Sequence, residues 1–113
     1  MEKDLEQRTK RFALDVISLV GGRRKSAVAG VIGHQLLRSA TSVGANYREA
    51  NRGVSRADFV NKIGTVQKEA AETQYWLELL IEANIDGGQE AKRVQREASE
   101  LLAIFTTIGK RLK

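Results

Sequence analysis

From Phe59 to Leu80 the side chains that leave water most readily recur at a fixed beat. Phe59, Ile63, Val66, Ala70, Thr73, Leu77 and Leu80 are spaced 4-3-4-3-4-3. On an α-helix this spacing draws one straight stripe, and a heptad stripe packs against helices lying nearly parallel or antiparallel to it. The segment reads as one helix over about 56–84, roughly 43 Å long at 1.5 Å per residue. Ser55 is a good N-cap, with Asp58 three residues on as in a capping box, and Asp86-Gly87-Gly88 marks the stop. The sequence contains no proline, which suits long uninterrupted helices.

Three further segments have helical period. The first, about 3–20, places Leu5, Phe12, Val16 and Leu19 on one face and ends at Gly21-Gly22. The second, about 26–52, carries Gly30 and Gly33 in its first turns, each weakening it by about 1 kcal/mol relative to alanine. Either that helix begins late or another backbone packs closely there, and Gly44 raises the same question deeper in. The fourth, about 89–112, lines up Ala91, Val94, Ala98, Leu101, Phe105 and Ile108. Four amphipathic helices with short connections make an all-α, antiparallel up-down-up-down four-helix bundle, a single domain over 1–113. No strand pattern, internal repeat or low-complexity tract competes with it. A monomer of this size buries only about 60–70% of its unfolded surface, so association with further copies would help it.

Helix 2 contains an anomaly. Ser39, Ser42, Asn46 and Glu49 are three, four and three apart, so a polar seam shares one helical face. On helix 3, Glu69 and Glu72 are three apart. A buried carboxylate without a partner neutralises or costs several kcal/mol, and Arg38, Ser39, Ser42 and Asn46 are the partners on offer. One reading is an internal network in which Arg38, Ser42 and Asn46 satisfy Glu69, Glu72 and Thr73, fixing register more than adding stability. The other is a seam, Glu49 included, that faces a neighbouring subunit. Trp76 and Tyr75 read as packing residues beside the heptad stripe.

The common chemistries find no footing. His34 is the one histidine and there is no cysteine. Thiolate metal sites, disulfides and Cys–His catalysis are therefore out, and no G-x-S-x-G elbow supports a serine nucleophile. Di-iron bundles need Glu-x-x-His from two helices. No phosphate loop of the G-x-x-x-x-G-K-[ST] form occurs. Gly30-Val31-Ile32-Gly33 matches the GXXG of KH domains, but that fold needs strands. No cofactor, metal or enzymatic activity is expected. No apolar run approaches the ~20 residues of a membrane span, and "MEKDLEQRTKRF" is too charged for a signal peptide. With no cysteine, the chain suits a reducing cytoplasm.

Charge gives the one functional lead. The net charge is +5, and it is uneven. Residues 1–56 carry 11 Lys/Arg against 5 Asp/Glu, whereas residues 57–113 carry 8 against 9. A basic half favours polyanions such as RNA or DNA. Arg48, Arg52 and Arg56 lie four apart, so a continuous helix would stack them. Arg23, Arg24 and Lys25 form a second cluster in the first loop, at the opposite end of an up-down bundle. Lys110, Arg111 and Lys113 are accounted for by the helix dipole.

The joint pattern of helices 2 and 3 is specific. "QLLRSATSVGANYREA" at 35–50, followed by "DFVNKIGTVQKEAAETQYWLELL" at 58–80, resembles the bacterial four-helix-bundle family of the 23S rRNA intervening sequence protein. A relative of that family is the accessory variability protein of diversity-generating retroelements. The likeness covers roughly residues 12–85. Arg38, Ser42, Gly44, Asn46 and Glu49 match the family's motif, as do Lys68, Glu69, Glu72, Thr73, Tyr75 and Trp76. The resemblance implies a homopentameric, barrel-like ring and does not imply an enzyme. The retroelement relative binds nucleic acid and a reverse transcriptase, but the motifs are shared by both branches.

Two functions remain open. One is a nucleic-acid-binding adaptor using Arg23, Arg24, Lys25, Arg48, Arg52 and Arg56 on the phosphate backbone. The other is a structural module whose ring binds a protein such as a reverse transcriptase.

Overall fold

The computed structural model describes residues 4–22 and 26–113; Arg23, Arg24 and Lys25, and Lys3 at the expected start of the first helix, lie outside the described residues. The described residues form four helices and no strand: α1 (Leu5–Gly21), α2 (Ala27–Asn51), α3 (Arg56–Glu82) and α4 (Gln89–Arg111). Each helix packs against two neighbours in the cyclic order α1, α2, α3, α4. The α2–α3 contact is the most extensive and α1–α4 the sparsest. Side-chain pairs establish the directions. Arg8 meets Glu97 while Asp15 meets Arg93, so α1 and α4 run oppositely. Glu49 meets Lys62 while Arg38 meets Glu69, so α2 and α3 do too.

The heptad stripe is the inner face of α3. Ile63, Val66, Ala70, Thr73, Leu77 and Leu80 are all buried, and Phe59 is partly so. They meet Phe12 and Val16 of α1, Leu36 and Val43 of α2, and Leu101 and Phe105 of α4 in one core cluster. Tyr47 and Phe105 pack edge to face, their ring centroids 5.2 Å apart, an arrangement aromatic quadrupoles favour.

The helix ends are made locally. Ser26 Oγ accepts a hydrogen bond from Ala29 N, so α2 starts before its glycines. Ser55 Oγ accepts from Asp58 N, the serine half of a capping box. Helix α3 stops earlier than the Asp86-Gly87-Gly88 signal implies. Asn84 takes the left-handed conformation at φ 59, Asn84 N donates to Ile81 O, and Ile85 N donates to Leu80 O. These are the two bonds of a Schellman motif, closed by Ile85 packing back on the core. Asparagine tolerates this conformation better than most residues, so the chain turns three residues before the first glycine. Asp86 Oδ1 then accepts from Gly88 N and leads into α4.

The glycines of α2 and α3 differ in kind. A Cβ on Gly44 would lie 3.2 Å from Thr9 Oγ1 and 3.5 Å from the Thr9 carbonyl carbon. Helix α1 therefore crosses α2 almost in backbone contact there. A Cβ on Gly64 would meet nothing within 4 Å. Gly64→Ala should therefore raise stability by about 0.5–1 kcal/mol through helix propensity and unfolded-state entropy. Gly44→Val should lower it by about 1–3 kcal/mol through overpacking. Urea unfolding of the two variants checks both signs.

Candidate functional site

The polar seam lies in the α2–α3 contact, and its two halves work differently. In one half, Arg38 spans both carboxylates: Nη1 is 3.3 Å from Glu69 Oε1, and Nη2 pairs with Glu72. Glu72 Oε2 also accepts from the Trp76 indole N–H at 3.1 Å. Beneath them, in the core, Ser39 Oγ and Thr73 Oγ1 lie 3.0 Å apart. Each hydroxyl also reaches a carbonyl of its own helix, Leu36 O and Glu69 O respectively. Thr73 thus sits in an apolar stripe with its hydroxyl satisfied.

In the other half, Ser42 and Asn46 do not reach the glutamates. Ser42 Oγ turns back to Arg38 O at 2.9 Å, and Asn46 Nδ2 turns back to Ser42 O at 2.9 Å. Short polar side chains on a helix have these carbonyls nearest to hand. The partner across the contact is Lys62, whose Nζ lies 2.6 Å from Glu49 Oε1 and 3.5 Å from Asn46 Oδ1. Lys62 escaped the sequence reading, although its seven-residue spacing from Glu69 puts it on the same face of α3.

The line Arg48, Arg52, Arg56 breaks at the α2–α3 turn. Helix α2 ends at Asn51 with Arg52 as its C-cap. Arg52 Nη1 and Arg48 Nε lie 3.3 and 3.8 Å from the carboxylate of Glu6 on α1. Asn51 Nδ2 donates to the same carboxylate at 2.8 Å. The Asn51 hydrogen bond and the two guanidiniums hold the Glu6 carboxyl below its usual range. Arg56 opens α3 and donates from Nη2 to Leu112 O at 3.0 Å, beside the last turn of α4. No spacing along the chain reports Glu6 as the shared anion, because that pairing depends on the α1–α2 register.

A groove of about 400 Å³ runs between α1 and α2. Thr9, Ala13, Thr41, Gly44 and Ala45 form its small-residue floor, and Lys10, Arg48, Glu6 and Glu49 its charged rim. Leu14 and Ile17 are exposed on α1 nearby. Trp76 is partly buried against the core, whereas Tyr75 is 52% exposed and touches Trp76 edge to face. Tyr75 is thus a surface residue, not a core one. His34 is exposed on α2.

Together these features define an all-α, four-helix protein whose ion pairs run mainly from one helix to another. The chain belongs to the 23S rRNA-intervening sequence protein family, whose model matches residues 2–107. It is similar in structure to a protein of unknown function from the S23 ribosomal protein family of Bacteroides thetaiotaomicron. The two share 34% sequence identity with a TM-score of 0.81, over 93% of this chain and 97% of that one. No curated protein matches the chain.

Arg38→Ala should cost about 1–2 kcal/mol, above the roughly 0–1 kcal/mol of an exposed pair, because Glu69 is left largely buried without a cation. Lys62→Ala, whose partner Glu49 is 60% exposed, should cost less; urea titration of both variants checks the order. Glu6 has its carboxyl lowered in the fold, so its contribution is complete at neutral pH. That contribution is lost as the pH falls from about 5 through the lowered value. Glu6→Gln should flatten this part of the acid limb when melting temperature is followed against pH.

Proposed function

We propose that this protein is a non-enzymatic adaptor that holds RNA or DNA by its phosphate backbone and works as a homopentameric ring in the cytoplasm. One observation carries the nucleic-acid reading. Six of the 14 acidic residues fall within 69–90, a stretch with no Lys or Arg, so all 19 cations share the rest of the chain with eight carboxylates. Outside that stretch the chain therefore carries excess positive charge, as at residues 91–113 with six cations against two carboxylates, and a ring repeats it around an axis. Such a field attracts polyanions and gives a steep salt dependence. No nucleophile–base pair enters this reading. Among the described residues no helix is long and apolar enough to cross a membrane.

A second reading has its own support. The α1–α2 groove, with Leu14 55% and Ile17 49% exposed one helical turn on from its lining residues Lys10 and Ala13, suits a helix of a protein partner such as a reverse transcriptase. In that case the charge serves solubility.

Affinity for a structured RNA and for a DNA duplex, measured from about 50 to 200 mM salt, separates the two. The adaptor gives sub-micromolar binding at low salt that falls by orders of magnitude across the series. Absence of binding at the lowest salt overturns it and leaves the groove as the functional surface. Sedimentation of the same samples tests assembly, five chains of 12.5 kDa being expected.

A further inference from the structure

We infer that the phosphodiester backbone seats on one end of the bundle, where the α2–α3 turn meets the last turn of α4, and that Lys110, Arg111 and Lys113 carry the contact together with Arg56. This rests on the nucleic-acid reading above and gives it a different surface from the Arg48 face.

A cation already bonded to a carboxylate must give up that bond to take a phosphate, so its net gain is small. A cation without one gives up only counterions. Arg48 and Arg52 share Glu6, Arg38 holds Glu69 and Glu72, Arg93 holds Asp15 and Glu90, and Lys62 holds Glu49. Lys110, Arg111 and Lys113 have no ion pair among the described residues. Arg56 bonds only the neutral Leu112 carbonyl, which leaves its charge uncompensated. That bond also brings the start of α3 against the end of α4. Four unneutralised cations thus meet at one place. The other described cations without ion pairs do not form such a group: Arg11 and Arg96 share a groove that Asp15, Glu97 and Glu100 also line, and Lys10, Lys68 and Lys92 lie on α1, α3 and α4.

Helix dipoles do not oppose this end. It gathers the N-termini of α1 and α3 and the C-termini of α2 and α4, so the half-charges offset each other and side chains set the field. Among the described residues the nearby carboxylates are Asp4, Glu6, Glu49 and Asp58, of which Glu6 is taken by Arg48 and Arg52 and Glu49 by Lys62. The bundle is 21 × 20 Å in cross-section. At one phosphate per ~1.7 Å of duplex axis, an end of that width faces roughly a dozen charges. A membrane is the weaker partner: among the described residues the large apolar side chains exposed near this end are Val54 in the turn and Val60 just inside α3, and the exposed Tyr75 lies toward the opposite end of α3, so charge would supply most of the hold on a lipid surface.

The test compares K110Q/R111Q/K113Q with R48Q/R52Q on a 20-base-pair DNA duplex and an RNA hairpin. Circular dichroism melting confirms that both variants fold. The end seat predicts that the triple variant lowers the slope of log affinity against log salt by about three and weakens binding at least tenfold at low salt. R48Q/R52Q should change it less. If wild type binds in a salt-dependent way and R48Q/R52Q loses as much as the triple variant or more, the seat is wrong while the adaptor stands. If wild type binds neither nucleic acid, or binds only phosphatidylglycerol vesicles, adaptor and seat fall together.

Discussion

Ser39 and Thr73 meet hydroxyl to hydroxyl in an otherwise apolar core, and Arg38 clamps Glu69 and Glu72 one layer above them. These contacts tie α2 to α3 at one register. Sliding either helix by a turn would part the two hydroxyls, each keeping the carbonyl of its own helix, and would leave Glu69 facing no cation, at a cost of about 1–3 kcal/mol. Apolar side chains tolerate such a shift far better, since Leu and Val packing is much the same one heptad on. The polar layer therefore selects the alignment that the heptad stripe alone leaves degenerate. Once α2 and α3 are aligned, the turn at residues 83–88 and the Gly44–Thr9 contact set the places of α4 and α1.

The features legible in the sequence are those with a period. The stripe from Phe59 to Leu80 and that from Ala91 to Ile108 disclosed two helices and the faces they bury. Ser55 disclosed a helix start, because its hydroxyl needs only its own next turn. What escaped depends on a single dihedral or on contact between distant segments. The sequence places the end of α3 at about 84, within two residues of its observed end, but its cause, the left-handed backbone of Asn84, leaves no mark in a pattern that credits the stop to Asp86-Gly87-Gly88. Glu6 as the anion of Arg48 and Arg52 follows only from the crossing of α1 on α2.

The candidate site was partly legible for the same reason. Arg38 facing Glu69 and Glu72 follows from complementary charge on two stripes that must face each other. Ser42 and Asn46 also lie on that face, but their side chains are too short to compete with carbonyls one turn back. Arg56 follows Arg52 by four residues, yet a helix boundary intervenes, and the spacing rule ends where the helix does. Whether an arginine is spoken for by a carboxylate is a property of the fold, and it separates Arg48 from Arg111 when composition cannot.

The uneven packing of the four helices has a consequence for how the molecule opens. Helix α1 crosses α2 closely at Gly44 and has its sparsest contact with α4, rimmed by the Arg8 and Arg93 ion pairs, whereas α2 and α3 share the largest contact. Opening follows the weakest interface. The backbone amides of α1 should exchange with solvent first and those of the α2–α3 hairpin last. That hairpin also joins neighbours in sequence, the kind of contact that forms earliest. The hairpin can thus serve as the template on which α4 and then α1 complete the bundle, leaving α1 as the helix most easily lifted away.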